Sequence, residues 1–167
     1  IYMKDIFDKL QWVYNLTDEQ AAFLMKCEQE IEIANTIPLT ENINKVKKLL
    51  ENKETVVLIS DMYLPKEIIE KMLEKADPVL TQIPLFLSSE YGVQKTTRKL
   101  FLEVYKSFKP FYDFGKWIHT GDGRVPDVNM PRRLGIVANQ IEKPEYNEFE
   151  GKLTEQLDSY DSYLVAA

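Results

Sequence analysis

The run Thr55-Val-Val-Leu-Ile-Ser60 is the stretch that most restricts what this chain can fold into. It is short, rich in β-branched residues and apolar on both alternating sides, as expected of a strand covered on both faces of a parallel sheet. Such a strand needs helices above and below it, and the downstream sequence supplies them in turn. The pattern predicts a helix from about Pro65 to Glu74, a strand around Ile83 to Ser88 and a helix from Gln94 to Phe108. A strand at Trp117 to Thr120, a short helix near Asp127 to Leu134 and a strand at Gly135 to Ala138 follow. Strand and helix in strict alternation mean βαβ units, so the expected fold class is α/β, a Rossmann-like parallel sheet flanked by helices.

Upstream the texture is purely helical. Ile6, Phe7, Leu10, Val13 and Tyr14 fall on one stripe, and Thr17 with Gln20 makes a capping box for a second helix that Pro38 closes. Thr40 is read as the cap of a third helix whose apolar face is Ile43, Val46, Leu49 and Leu50. From Glu145 a charged helix carries Phe149, Leu153, Leu157 and Tyr160 at helical spacing. The expected organisation is therefore a helical cap or insertion region over residues 1–53, an α/β core over 54–140 and a C-terminal helix over 141–167 that leads into another domain or packs on this one.

Composition narrows the partners. With 167 residues, 44% of them hydrophobic, the chain can bury about two-thirds of its unfolded surface in one ordinary core. A net charge of -6 opposes the basic footprint that nucleic acid requires and gives no steering toward anionic membranes. Cys27 is the only cysteine, which rules out a disulfide within the chain and a thiolate metal site. No apolar run nears the roughly 20 residues that span a bilayer, and the first residues do not read as a signal peptide. A soluble, cytoplasmic protein is expected.

In an open parallel sheet, ligands bind beyond the carboxyl ends of the strands. Those ends carry Ser60-Asp61, then Ser88-Ser89-Glu90 leading toward Lys95, then His119-Thr-Gly-Asp122. A hydroxyl, an ammonium and carboxylates at one sheet edge are the inventory for a phosphoryl group beside Mg²⁺. The hydroxyl and nearby N–H groups donate to phosphoryl oxygens, the lysine offsets their charge, and carboxylates bind a hard divalent cation. Each part also has a plainer reading. Ser60-Asp61 before Pro65 can serve as a helix start, Lys95 as a surface lysine, and Asp122 and Asp127 among Gly121, Gly123 and Pro126 as a turn. His119 reads as a packed strand-end histidine or an orienter, Arg124 as a solvated loop arginine, and Lys45 to Lys48 as a solvated helix face. No role is assigned to Glu90 or Tyr91.

Taken in order, these motifs resemble the haloacid-dehalogenase-like (HAD-like) hydrolases. Ile59-Ser-Asp-Met-Tyr-Leu-Pro65 looks like the family's second motif, closest to a branch attached to bacterial glycosyltransferase or polysaccharide-related proteins. Leu87-Ser-Ser-Glu-Tyr-Gly92 with Lys95 resembles the third, and His119-Thr-Gly-Asp-Gly-Arg-Val-Pro-Asp127 the fourth. The resemblance runs from Ile1 to about Ile136. It implies a Mg²⁺-dependent phosphohydrolase or phosphotransferase acting on a small phosphorylated metabolite through an aspartyl-phosphate. Ser60 and Asp61 would bind the phosphoryl group. Lys95 would pair with that group and with the nucleophile. Asp122 would be the main magnesium ligand, and Asp127 a second ligand or an orienter behind it.

The family's nucleophilic aspartate ends an earlier strand. Here only Asp5-Ile-Phe-Asp8-Lys-Leu10 resembles it, yet Ile1 to Lys4 are too few and too polar for a central strand, and Lys9 stands where relatives have threonine. The apolar spacing also continues helically through it. The stretch is therefore read as a helix surface, with the nucleophile expected in sequence upstream of this chain. Two functions stay open. One is the phosphohydrolase; the other is a non-catalytic HAD-like module that binds a partner domain or a phosphorylated ligand within a larger protein.

Overall fold

A computed structural model describes residues 2–108 and 113–141. The chain is mixed α/β, mostly helical with small parallel sheets. Helix α1, Met3–Tyr14, begins where the Asp5 carboxylate accepts from the Tyr2 N–H and ends at Asn15 in the left-handed region (φ 51°). Its buried Met3 and Phe7 join Leu64, Ile68, Ile69 and Leu87 in one core cluster. The Met3 N–H also donates to the Tyr63 carbonyl at 2.9 Å, which fixes the helix to the loop after the first strand. Helix α2, Asp18–Ala34, starts at the expected Thr17–Gln20 capping box and packs on α1 and on a later helix. Helix α3, Thr40–Glu51, buries no side chain. Thr40 is its first residue, with Leu39 in the cap position, so the capping role read from sequence does not hold.

Strand β1, Leu58–Ser60, takes only the second half of the predicted apolar run. Pro65 precedes α4, Lys66–Ala76, without any side-chain cap, so neither Ser60 nor Asp61 starts that helix. Strand β2, Leu85–Leu87, runs into the short α5, Ser88–Tyr91, and α6 spans Lys99–Phe108. Leu100 and Val104 of α6 pack with Phe86 in a second core cluster. Strand β3, Ile118–Gly121, is followed by a π-helical turn, Arg124–Asn129, then α7, Met130–Arg132, and strand β4, Val137–Gln140.

The parallel pairing expected from the βαβ pattern is present, with Ser60 opposite Leu87 and Gly121 opposite Gln140. Among the described residues the strands nevertheless form two separate two-stranded sheets, β1 with β2 and β3 with β4. Two boundaries shift for local reasons. The predicted helix from Gln94 begins only at Lys99, because Thr97 Oγ1 closes a turn on the Gln94 carbonyl (2.8 Å) and Arg98 is left-handed (φ 67°). The predicted strand at Gly135 begins at Val137, because Gly135 makes a left-handed turn (φ 85°). The helix expected from Glu145 lies outside the described residues. Among the described residues no helix is long and apolar enough to cross a membrane.

Candidate functional site

The carboxyl end of β1 is shaped by hydrogen bonds from the residues that follow β2. Ser88 Oγ accepts from the Met62 N–H at 3.0 Å and Ser89 Oγ donates to the Leu64 carbonyl at 3.1 Å, so the loop after Ser60 is held against β2. Asp61 faces the other way. Both of its carboxylate oxygens accept from the Lys95 backbone N–H, at 3.0 and 3.1 Å. The loop bearing Lys95 is thereby tied to the end of β1, although Lys95 lies outside any helix.

The Lys95 side chain reaches in the opposite direction, to the second sheet. Its Nζ donates to Asp127 Oδ1 at 2.6 Å, with only 11% of the lysine side chain and 4% of the aspartate side chain exposed. The same oxygen lies 2.9 Å from His119 Nε2, and Asp127 Oδ2 accepts from the Gly123 N–H at 3.0 Å. Burial alone would push the Asp127 carboxyl upward. The hydrogen bonds from His119 and Lys95, the lysine charge and the Gly123 N–H outweigh it and hold the group well below the ordinary carboxylate range. Asp127 is therefore an anion at neutral pH, with three donors around it.

The local sequence explains this packing. Residues 119 and 121 lie on the same face of β3 because strand side chains alternate. His119 therefore points at Asp127, and Gly121 leaves room for it: a Cβ on Gly121 would stand 2.5 Å from Asp127 Cγ. A Cβ on Gly123 would meet Pro126 Cγ at 2.6 Å. The ring of His119 is held edge-on by buried Phe101, centroids 5.0 Å apart. His119, read from sequence as a packed strand-end histidine or an orienter, belongs to this cluster. The signal was its spacing of two from Gly121 on a strand whose following loop returns an aspartate.

The remaining expected residues are placed as follows. Ser60 ends β1, half-buried. Asp122 is exposed on the loop after β3, where its carbonyl accepts from Gln140 Nε2 at 3.2 Å. Arg124 is exposed at the start of the π-helical turn. Glu90 lies 3.7 Å from Lys66 on the surface, and Tyr91 stacks on Phe86. Asp5 and Asp8 sit on exposed positions of α1, Asp8 paired with Lys4, and neither ends a strand.

Among the described residues no group of three or more His, Cys, Asp and Glu side chains is arranged to hold a metal ion. A hard cation such as Mg²⁺ keeps several waters and needs one or two protein carboxylates beside phosphate oxygens. Both Asp127 oxygens are taken by protein donors. Neither a family model nor a curated protein sequence matches the chain.

Proposed function

We propose that this chain carries the phosphate- and cation-holding part of a HAD-like phosphohydrolase with a Rossmann-like core, acting on a small phosphorylated metabolite. The observation that supports the reading is Lys95. Its backbone N–H is bound by Asp61 at the end of β1, and its side chain by Asp127 beyond the end of β3, so one residue links the carboxyl ends of both sheets. That is where an open parallel sheet collects its ligand.

In this reading Ser60 donates its hydroxyl to a phosphoryl oxygen, and Lys95, aimed by Asp61 and Asp127, balances the phosphoryl charge. Asp122 would hold Mg²⁺, which when bound offsets charge on the transferring group. The attacking carboxylate would stand on a further strand pairing with the open edges of β1 and β3, and would take the phosphoryl group as an aspartyl-phosphate that water then cleaves. In a protein that includes that strand, Mg²⁺-dependent turnover of an aryl phosphate that Asp122→Ala abolishes is the expected result. Turnover that survives both Mg²⁺ removal and Asp122→Ala would overturn the proposal.

A second reading is favoured by α1. The first-motif-like aspartates, Asp5 and Asp8, are on a helix and already partnered, so that stretch offers no strand-end aspartate as the nucleophile. A non-catalytic module that binds a phosphorylated ligand or a partner domain would keep the Lys95 cluster without turnover. Phosphate binding that depends on Lys95, with no hydrolysis in the presence of Mg²⁺, identifies it.

A further inference from the structure

Helix α2 is apolar on two opposite sides. On the inner one Ala21 is buried, and Met25 and Ile33 pack against the core cluster that holds Met3 and Phe7. On the outer one Phe23, Leu24, Cys27 and Ile31 fall on a single stripe, because helix positions three, four, seven and eight apart share a face. Phe23 is 65% exposed, Ile31 58% and Leu24 41%, so among the described residues no element covers that stripe. Single exposed apolar side chains are ordinary on any protein surface, whereas several aligned over about 12 Å of one helix make a contact surface.

The helix is fixed at both ends. The Thr17–Gln20 box closes its start, and Lys75 Nζ of α4 donates to the carbonyls of Ile33 and Ala34, at 3.0 and 2.5 Å, at its finish. A partner therefore meets a preformed surface, and binding has little to order on this side.

The charges beside the stripe select what lies on it. Helix α2 carries Asp18, Glu19, Glu28, Glu30 and Glu32 against Lys26 alone. At helical spacing Glu19 and Glu30 border the stripe next to Phe23, and both are exposed. Glu28 borders it next to Leu24 but already accepts from the Tyr63 hydroxyl. A second copy of the chain would set this acidic border against itself. Residues 142–167, with seven Asp and Glu and two Lys, would do the same, and an anionic membrane is repelled for the same reason. Strand addition has no foothold either, since a helix interior leaves no row of unpaired backbone groups. A second helix fits, because its side chains can interdigitate along the stripe while its flanking cations meet the carboxylates, as in a coiled coil.

We propose that the outer face of α2 docks a partner protein through a basic amphipathic helix, whose apolar side lies along Phe23, Cys27 and Ile31 and whose lysines or arginines meet Glu19 and Glu30. The interaction stands apart from the phosphate-site reading and does not depend on it.

Fluorescence anisotropy on the full chain tests the proposal, with a labelled helical peptide of leucine and lysine, its leucines on one face, as the probe. The peptide should bind about tenfold or more tighter than a scrambled peptide of the same composition and than a leucine–glutamate helix. Phe23→Ser with Ile31→Ser should weaken it about tenfold. Glu19→Gln with Glu30→Gln should weaken it several-fold and flatten its salt dependence. All four positions are exposed, so these changes leave the core untouched. Ile118→Ser with Val137→Ser, an exposed apolar pair in register on β3 and β4, is the matched control and should change nothing. Equal binding of the scrambled peptide, or equal losses in the control pair and the α2 pair, would mean general charge attraction and apolar adhesion, and would overturn the proposal. So would dimerisation of the unaltered chain that Phe23→Ser with Ile31→Ser abolishes, which gives the face to a second copy. Binding that appears only after Leu153→Ser with Leu157→Ser would give it to residues 142–167 and overturn the proposal as well.

Discussion

Lys95 Nζ and Asp127 Oδ1 lie 2.6 Å apart, both largely out of water, and join two parallel sheets that share no strand pairing. A pair this buried is costly to break from one side, because the survivor keeps its charge without its partner. Asp127→Ala should therefore lower unfolding free energy by roughly 3 kcal/mol or more. Adding Lys95→Met to that variant should restore a substantial part of the loss, since an apolar side chain of similar length replaces an orphaned ammonium. Urea denaturation of the two singles and the double closes the cycle. Simple additivity would mean that the two groups do not depend on one another.

The same carboxylate makes stability depend on acid. Its pKa is lowered in the folded protein, so the folded state holds fewer protons on it than the unfolded chain does near the unfolded value of about 3.9. The stabilisation is fully present above that value and is lost as pH falls through it toward the folded pKa. Between about pH 5 and pH 3 the urea midpoint should fall more steeply in the unaltered protein than in Asp127→Asn, which has no proton to take up there. Parallel pH profiles for the two proteins would show that the charge on Asp127 contributes little.

Gly121 is required by what faces it. A Cβ there would stand 2.5 Å from Asp127 Cγ and 2.9 Å from its Oδ1, the oxygen that serves both Lys95 and His119. The carboxylate cannot give way without lengthening those bonds, so Gly121→Ala should cost about 1–3 kcal/mol as overpacking. Gly115→Ala, where an added Cβ meets nothing within 4 Å, is the matched control and should stay within about 0.5 kcal/mol. Thermal unfolding of the two variants separates a specific clash from a general effect of losing glycine.

How far the sequence could be read differs from one element to the next. The Thr17–Gln20 box is local chemistry, two side chains satisfying two backbone donors three residues apart, and it stands as read. The stretch Gln94 to Arg98 misled because its residue types are tolerated in helices. What decides its shape is the Asp61 carboxylate, 34 positions earlier in sequence, which takes the Lys95 N–H. The buried polar cluster lies beyond the strand ends, yet the partners across them are not readable from sequence. Lys95 was expected to face a phosphoryl group and a nucleophile, whereas among the described residues its ammonium faces Asp127. His119 gained its place from alternation along β3, a rule that applies only once a returning loop is known to bring an aspartate to that face. Sheet continuity is not legible in the same way, because βαβ alternation predicts parallel pairs and says nothing about whether two pairs share an edge.

The division of labour between the two loop aspartates gives the sharpest test of the site. Asp127 has both oxygens committed to protein donors, while Asp122 is exposed five positions earlier on the same loop. A magnesium ion taking its oxygens from Asp127 would have to displace the Lys95 and Gly123 bonds, which is costly at a buried pair. In the presence of phosphate, Mg²⁺ should therefore raise the melting temperature of the unaltered protein, and Asp122→Asn should remove that rise. Asp127→Asn should do the reverse in kind, lowering the metal-free melting temperature while retaining a measurable Mg²⁺ response. A Mg²⁺ response abolished by Asp127→Asn and untouched by Asp122→Asn would make Asp127 the ligand, and Lys95 would then have to release it whenever the metal binds.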